Sequence, residues 1–208
     1  VPFGDKYEVR LKGPNVTPGY WKDKKTTESS IDKDGFFKIG DSLRFAKKND
    51  PRFGFYFDGR VAENFKLNTG SWVSVGKIRD QLVNELGSIV SDAIIIGENQ
   101  TFLSAFLIPN LSHCKRLCNI QQTDFNKDSI LQNYILIEKI ITSLKKLKNK
   151  TKSKSQYVKR VVLFKGRLSK VKGEITQKGS INQIAFILNR KRLVKELQRG
   201  LSNEFIEI

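Results

Sequence analysis

Methionine is absent from this 208-residue chain, cysteine occurs twice, proline five times and histidine once. Each scarcity closes a route. Two cysteines, Cys114 and Cys118, cannot build a disulfide framework, so a reducing, cytoplasmic setting is expected. The single histidine, His113, offers no Ser–His–Asp relay. With the two nearby thiols it could begin a zinc site, but no fourth ligand accompanies them and no metal site is expected. No apolar run nears the ~18 residues that a membrane helix needs, and the first residues lack the layout of a secretory signal. A membrane is therefore not an expected partner. Neither a G-x-x-x-x-G-K-[ST] phosphate loop nor a dinucleotide fingerprint occurs. The opening "VPFGDKYEVR" already reads as strand, so the chain is expected to be part of a longer product.

Positive charge is what the chain has in excess: 38 basic against 21 acidic residues, a formal charge of +17. No nucleic-acid motif accompanies it. A basic nucleic-acid-binding or interaction module is the alternative of a different class, and nucleic acid is not the expected partner. The stretch from Lys145 to Lys172 contains no acidic residue, a surface that would attract a polyphosphate ligand. With 38% hydrophobic residues the chain can bury a core.

Along the chain, "KYEVRLKG" alternates Tyr7, Val9 and Leu11 with charge, as a half-exposed strand does. Turns are expected at Gly13-Pro14, Pro18-Gly19 and Asp34-Gly35, with a break at Gly40-Asp41 between two short strands. Phe55 to Phe57 read as strand, ending in a turn at Asp58-Gly59. From about residue 60 the texture changes. Val75 to Leu86 suit a helix, and "SDAIIIGENQTFLSAFLIPN" reads as a hairpin turning at Gly97–Gln100. "DSILQNYILIEKIITSLKKLKNK" spaces Ile130, Tyr134, Ile137, Ile141 and Leu144 as one amphipathic helix. "VKRVVLF" gives a strand, and "SINQIAFILNRKRLVKELQ" a last helix with Ile181, Ile184, Ile187, Val194 and Leu197. The fold expected is α+β: the last strands of a larger domain over 1–58, a hinge at 59–66, and a small lobe of sheet and helices over 67–208.

Two stretches resist a purely structural account. In "FKIGDSLRF", Asp41 follows a glycine, where an exposed carboxylate can accept two hydrogen bonds, as from the vicinal diol of a ribose. In "FDGRVAENFK", Arg60 brings a rigid fork of donors. Taken in order, "EVRLKGPNVTPGYW", "DGFFKIGD", "FDGRVAENFKL" and "SINQ" resemble the adenylate-forming acyl- and aryl-CoA synthetases. "GPNVTPGYW", "GRVAENFKLNTGSWVSVG" and "GEITQKGSINQ" look most like the feruloyl-CoA synthase branch. The resemblance covers nearly the whole chain.

That resemblance implies the C-terminal part of an AMP-forming acid–thiol ligase, with ATP, Mg2+ and coenzyme A as cofactors and a carboxylic acid as substrate. The acid would be feruloyl- or hydroxycinnamate-like, with a fatty or benzoate-like acid as the alternative. The N-terminal domain of the same enzyme would be the structural partner and would hold the phosphate loop and most of the acid pocket. Asp41 and Arg60 would bind the adenylate ribose. Ile39 stands where many relatives have threonine, and Ala62 where the hinge usually carries Asp or Lys. Lys66 would approach the adenylate phosphate during thioester formation, and Thr69, Gly70 and Trp72 would line the pantetheine arm. Lys178 would bridge the acid carboxylate and the α-phosphate during adenylation, with Lys172 as the substitute. In the common pattern the position four past Thr176 carries that lysine; here it is Ser180.

Overall fold

The computed structural model describes residues 1–3, 6–120, 126–151, 153, 156–201 and 204–208. The chain divides into two compact units, Val1–Asn64 and Phe65–Ile208.

The first unit is an antiparallel sheet in the order β1 (Pro2–Phe3), β2 (Lys6–Leu11), β3 (Phe37–Lys47), β4 (Asp50–Arg60), with one short helix, α1 (Lys24–Ser30). Asp23 caps α1 by accepting from the Thr26 N–H at 3.0 Å. The Asp34-Gly35 turn is held by the Asp32 carboxylate, which accepts from the N–H groups of Asp34 and Phe36. Two expected interruptions are absent. The glycine of Gly40-Asp41 takes φ +78 inside one continuous strand, where the register shifts between Asp41 and Leu43. Asp58-Gly59 is likewise no turn, because Gly59 at φ +81 lets β4 run on to Arg60. A positive-φ glycine can bulge a strand without ending it.

The buried centre of this sheet is polar. Lys6 is 4% exposed, donates to the Asp58 carbonyl at 3.2 Å and lies 3.7 Å from its carboxylate. Buried Ser42 donates to the same carbonyl at 2.7 Å. Among the described residues of this unit no hydrophobic side chain is buried. Phe45 packs on Tyr7 and Phe55 at ring distances of 4.9 and 5.0 Å, while Phe53, Phe55, Tyr56 and Phe57 are exposed. A sheet of this kind has a face but no layer upon it.

The second unit carries the core. A hairpin of β5 (Phe65–Lys66) and β6 (Trp72–Val73) leads into α2 (Val75–Leu86), then β7 (Val90–Ile96) and β8 (Leu103–Pro109). Next come α3 (Leu111–Leu117), α4 (Lys127–Leu131), α5 (Tyr134–Lys150), β9 (Val158–Leu163), α6 (Gln183–Asn189), α7 (Lys191–Arg199) and β10 (Ile206–Glu207). The main sheet has the order β10-β9-β8-β7, with β8 and β9 parallel and the other pairs antiparallel. The parallel pair needs a crossover, and the run through α3 to α5 supplies it.

Alternation along β7 sorts side chains to two cores. Ala93 and Ile95 join Ile78, Leu82, Leu136, Ile140 and Leu144 of α2 and α5. Ile94 and Ile96 join Phe106, Phe164, Phe186, Val194 and Leu197 on the side of α6 and α7. Rings of Phe106, Phe164 and Phe186 meet mutually at 5.2 to 6.3 Å. A sheet buried on both faces explains the unbroken apolar runs "AIII" and "AFLI". The α+β class and the helix-flanked sheet expected from the sequence are what the structure shows.

Both long expected helices are each two. Asn133 accepts from the Ile135 N–H at 3.0 Å and starts α5 afresh after α4. The core face of α5 is Leu136, Ile140 and Leu144; Tyr134, placed on that stripe by spacing, is 75% exposed. The last helix breaks at Arg190 (φ −119, ψ 37), and Ile184 faces outward.

Since every buried hydrophobe among the described residues lies in the second unit, residues 65–208 expressed alone are expected to unfold in one cooperative urea transition. Phe186→Ala should cost that piece ~3–5 kcal/mol. Residues 1–64 alone should show no cooperative transition. Circular dichroism across a urea titration checks all three.

Candidate active site

Asp41 and Arg60 are register partners across β3 and β4. One guanidinium nitrogen, Nη1, lies 2.9 Å from Asp41 Oδ1 and also donates to the Ile39 carbonyl at 2.9 Å. Ile39 thus contributes its backbone, whatever its side chain. Gly40 sits between them at φ +78, a conformation few side chains tolerate. The Asp41 side chain is 31% and that of Arg60 56% exposed. The arrangement is a fixed carboxylate with an open edge beside a fixed cation, suited to grip a diol through its hydroxyls. After Arg60 comes one turn of 3-10 helix, Val61–Glu63, and Asn64 Nδ2 donates back to the Arg60 carbonyl at 2.8 Å.

Lys66, Thr69, Gly70 and Trp72 are brought together on the β5–β6 hairpin. Lys66 and Trp72 are partners across it, with Nζ 4.9 Å from the ring centroid, and Trp72 is 41% exposed. Gly70, at φ +78, closes the tip by donating to the Leu67 carbonyl at 2.9 Å, with no atom within 4 Å of where a Cβ would stand. Thr69 Oγ1 lies 3.2 Å from Ser71 Oγ. The hairpin is tied to the β7–β8 turn, since Asn99 donates to the Lys66 carbonyl and Asn68 to that of Gln100, each at 3.0 Å.

Lys178 lies on another element, an exposed turn between β9 and α6. Gly179, at φ +83, donates to the Thr176 carbonyl at 3.0 Å, and the Thr176 and Ser180 hydroxyls meet at 2.7 Å. Ser180, in the place where the common pattern has its lysine, is therefore occupied in closing the turn. Lys172 lies on an adjoining turn closed by Gly173 onto the Lys170 carbonyl at 3.0 Å, and is also exposed.

Four residues of this region escape a reading by charge and spacing. Glu174 is fully buried, and Arg190 donates to it with Nε at 2.9 Å and Nη2 at 2.8 Å. The Arg190 fork, foremost, and the Ser169 N–H hold this carboxyl below its ordinary value of 4.5, against the opposing effect of burial. Gln183, 1% exposed, accepts from the Ile95 N–H at 2.8 Å and so engages β7 along the sheet's edge. Asn182 caps α6 by accepting from the Ala185 N–H at 3.1 Å. The "SINQ" motif is thus an anchor for the lysine-bearing loop. The signal available in the sequence was an acidic residue standing alone between Lys172 and Lys178.

Part of the basic run is paired with acids from elsewhere in the fold. Lys146 and Lys150 both pair with Glu85, at 2.7 and 2.9 Å. Lys159 and Arg160 pair with Glu207, and Lys165 with Asp128 and Glu204. Lys152 and Lys154 lie outside the described residues.

Cys114 is buried, its Sγ donating to the Ile89 carbonyl at 3.3 Å, and burial with Cys118 beside it pushes the thiol up to about 11. Burial raises Cys118 as well. Such thiols are poor nucleophiles and poor ligands. Among the described residues no group of three or more His, Cys, Asp or Glu side chains could hold a metal ion, and no helix is long and apolar enough to cross a membrane.

The architecture is that of adenylation-domain structures. The A domain of a carboxylic acid reductase from Segniliparus rugosus, in complex with AMP and a co-purified carboxylic acid, superposes with a TM-score of 0.69 at 17% identity, over 95% of this chain and 28% of that one. ATP-bound MatB from Rhodopseudomonas palustris does so at 0.57 and 20% identity, over 93% and 32%. No protein-family model matches the chain. In sequence it is 58% identical over 95 residues to probable 4-coumarate–CoA ligase 2 of Dictyostelium discoideum, over 46% of this chain and 16% of that protein. To fatty acyl-CoA synthetase B of the same organism it is 29% identical over 147 residues, 70% of this chain and 20% of that one. It is thus similar to adenylate-forming acyl- and aryl-CoA ligases and spans a fifth or less of their length.

The Glu174 carboxyl makes a pH test. Because its folded value is lowered, its contribution to stability is complete above the ordinary value of 4.5 and is lost as pH falls through the lowered one. Wild type should therefore lose its margin over Glu174→Gln on acidification, with the two thermal melting curves converging at the acid end. Differential scanning calorimetry between about pH 6 and about pH 3 checks this.

Proposed function

We propose that this chain is the C-terminal portion of an ATP-dependent acid–CoA ligase whose acid is hydroxycinnamate-like. One observation carries the reading: Asp41 and Arg60, which the resemblance assigns to the ribose, are register partners in salt-bridge contact and present open edges. In the first half-reaction the acid carboxylate attacks the α-phosphorus of ATP and pyrophosphate leaves, giving the acyl-adenylate. Lys178 offsets the charge gathered between carboxylate and phosphate, a role that depends on a preset position. In the second, the coenzyme A thiolate attacks the acyl carbon and AMP leaves. Lys66 meets the phosphate then, with Thr69, Gly70 and Trp72 beside the pantetheine. Alternation of the second unit about residues 59–66 would bring the two lysines in by turns.

The 58% identity to a probable 4-coumarate–CoA ligase supports an aromatic acid, and the likeness to fatty acyl-CoA synthetase B keeps a fatty acid as the competing substrate. On this reading Mg2+ accompanies ATP, held chiefly by its phosphates. The uncovered aromatic face of the first unit supports an upstream AMP-binding domain as its structural partner. Two buried free cysteines suit the cytoplasm.

On this reading the 208-residue chain alone releases no pyrophosphate from ATP and acid. In the full-length enzyme, Lys178→Ala should slow ATP–pyrophosphate exchange ~10²–10³-fold and spare thioester formation from supplied acyl-adenylate, with Lys66→Ala showing the reverse. If Lys172→Ala gave the first effect instead, the adenylation role would pass to Lys172. Exchange with 4-coumarate against palmitate decides the substrate class.

A further inference from the structure

Between Phe164 and Asn182 the chain travels without regular secondary structure, apart from the isolated bridge Ile175–Ile181, and includes three glycines. Long irregular excursions inside compact units need a reason and a fastening. The fastening is visible. Glu174 lies at the middle of the excursion, fully buried, with both carboxylate oxygens engaged: Oε1 by Arg190 Nε, Oε2 by Arg190 Nη2 and by the Ser169 N–H at 2.8 Å. Its backbone closes the loop on either side, donating to the Ser169 carbonyl and accepting from the Asn182 N–H, each at 2.9 Å.

Arg190 itself is set by its place at the break between α6 and α7. Its guanidinium lies 4.9 Å from the Phe164 ring centroid and 5.3 Å from that of Phe186. Nη2 also donates to the Arg167 carbonyl at 2.7 Å, and neighbouring Asn189 donates to that of Lys172 at 3.0 Å. Four points of the chain here, residues 167, 169, 172 and 182, thus converge on the Glu174–Arg190 pair and the helix break beside it. The turns bearing Lys172 and Lys178 project from either side of Glu174. The carboxylate is fully buried while the Arg190 side chain keeps 23% of its surface exposed, so Glu174 depends on that one fork for its charge.

We propose that Glu174 and Arg190 are positioning residues, a clamp that holds the lysine-bearing loop in the geometry adenylation requires. The proposal rests on the ligase reading above and adds to it the element that preorganises Lys178. The helix break at Arg190 is part of the device, because a continuous helix would carry residue 190 through the α-helical backbone rather than in the bent conformation from which it reaches Glu174.

Two variants test this: Glu174→Gln, and the double variant Glu174→Met with Arg190→Met, whose apolar pair keeps the core filled should the single change unfold the protein. Amide hydrogen exchange in the 208-residue chain should quicken about tenfold or more across 169–181 in both, while amides of β7 and β8 keep wild-type protection in the double variant. Unchanged exchange across 169–181 would overturn the clamp. In the full-length enzyme the double variant should lower kcat for ATP–pyrophosphate exchange about tenfold or more, leave the KM for ATP within about twofold, and leave thioester formation from supplied acyl-adenylate unaltered. Equal loss in both half-reactions would reduce the pair to a general structural role and overturn the proposal. A loop loosened in the variants, together with a full-length wild type that adenylates no acid, would instead overturn the ligase reading and with it the adenylation role of the clamp.

Discussion

The burial of one small sheet on both faces is the constraint from which the rest of this molecule follows. β7 and β8 send alternate side chains into two separate cores, so neither strand can slip by one residue without exchanging Ala93 and Ile95 for Ile94 and Ile96. That register fixes where the β7–β8 turn emerges, and the β5–β6 hairpin is hydrogen-bonded to that turn through Asn99 and Gln100. The same register places the Ile95 N–H where buried Gln183 meets it, which locates the start of α6 and the end of the lysine-bearing loop. Lys66, on β5, and Lys178, on its turn, are thereby presented from one base, and Phe65, Leu67 and Val73 fasten the hairpin of Lys66 into the core.

The first unit reverses this arrangement. Its interior positions are Lys6, Ser42 and Asp58, and its aromatics lie on the surface. Buried polar groups of this sort stabilise little in themselves, but they define alignment, since each must find its partner. Ser42 donates to the Asp58 carbonyl across β3 and β4, one residue from Asp41 and two from Arg60, so the polar centre aligns the two residues assigned to the ribose. The sheet's aromatics Phe53, Phe55, Tyr56 and Phe57 stay exposed, while its polar centre sets the pairing of β3 with β4.

Legibility in the sequence followed the length scale of the interaction. Period-two and continuous apolar runs marked β7, β8 and β9, and the Val75–Leu86 helix was bounded as read, because strand and helix burial is written locally. Helix breaks were missed at Asn133 and Arg190 because a capping side chain, or a guanidinium called back to a distant carboxylate, outweighs an uninterrupted apolar period. Glycine at Gly40 and Gly59 was read as punctuation; whether positive φ ends a strand or bulges it depends on the partner strand, which spacing does not reveal. Of the site, Asp41 and Arg60 could be paired by motif. The Glu174–Arg190 pair could not, since nothing within sixteen positions of sequence says that a carboxylate and a guanidinium share one buried pocket.

Charge makes the same point from the other side. The run from Lys145 to Lys172 looks in sequence like a single cationic strip, yet four of its lysines, Lys146, Lys150, Lys159 and Lys165, divide in space among Glu85, Glu207, Glu204 and Asp128. Those acids come from α2, from β10 and its approach, and from α4, so tertiary proximity offsets part of the local charge. The cations whose exposure is functional in the proposed reading, Lys66 and Lys178, lie outside that run. Each sits beside a positive-φ glycine turn instead of within a block of like charge. A lone cation on a fixed turn delivers its charge to one place, whereas a dense strip spreads it and holds counterions that screen it. Catalytic use of lysine in a chain of this composition therefore depends on isolating one or two of many, and the Glu174–Arg190 pair isolates the loop that bears Lys178 by fastening everything around it.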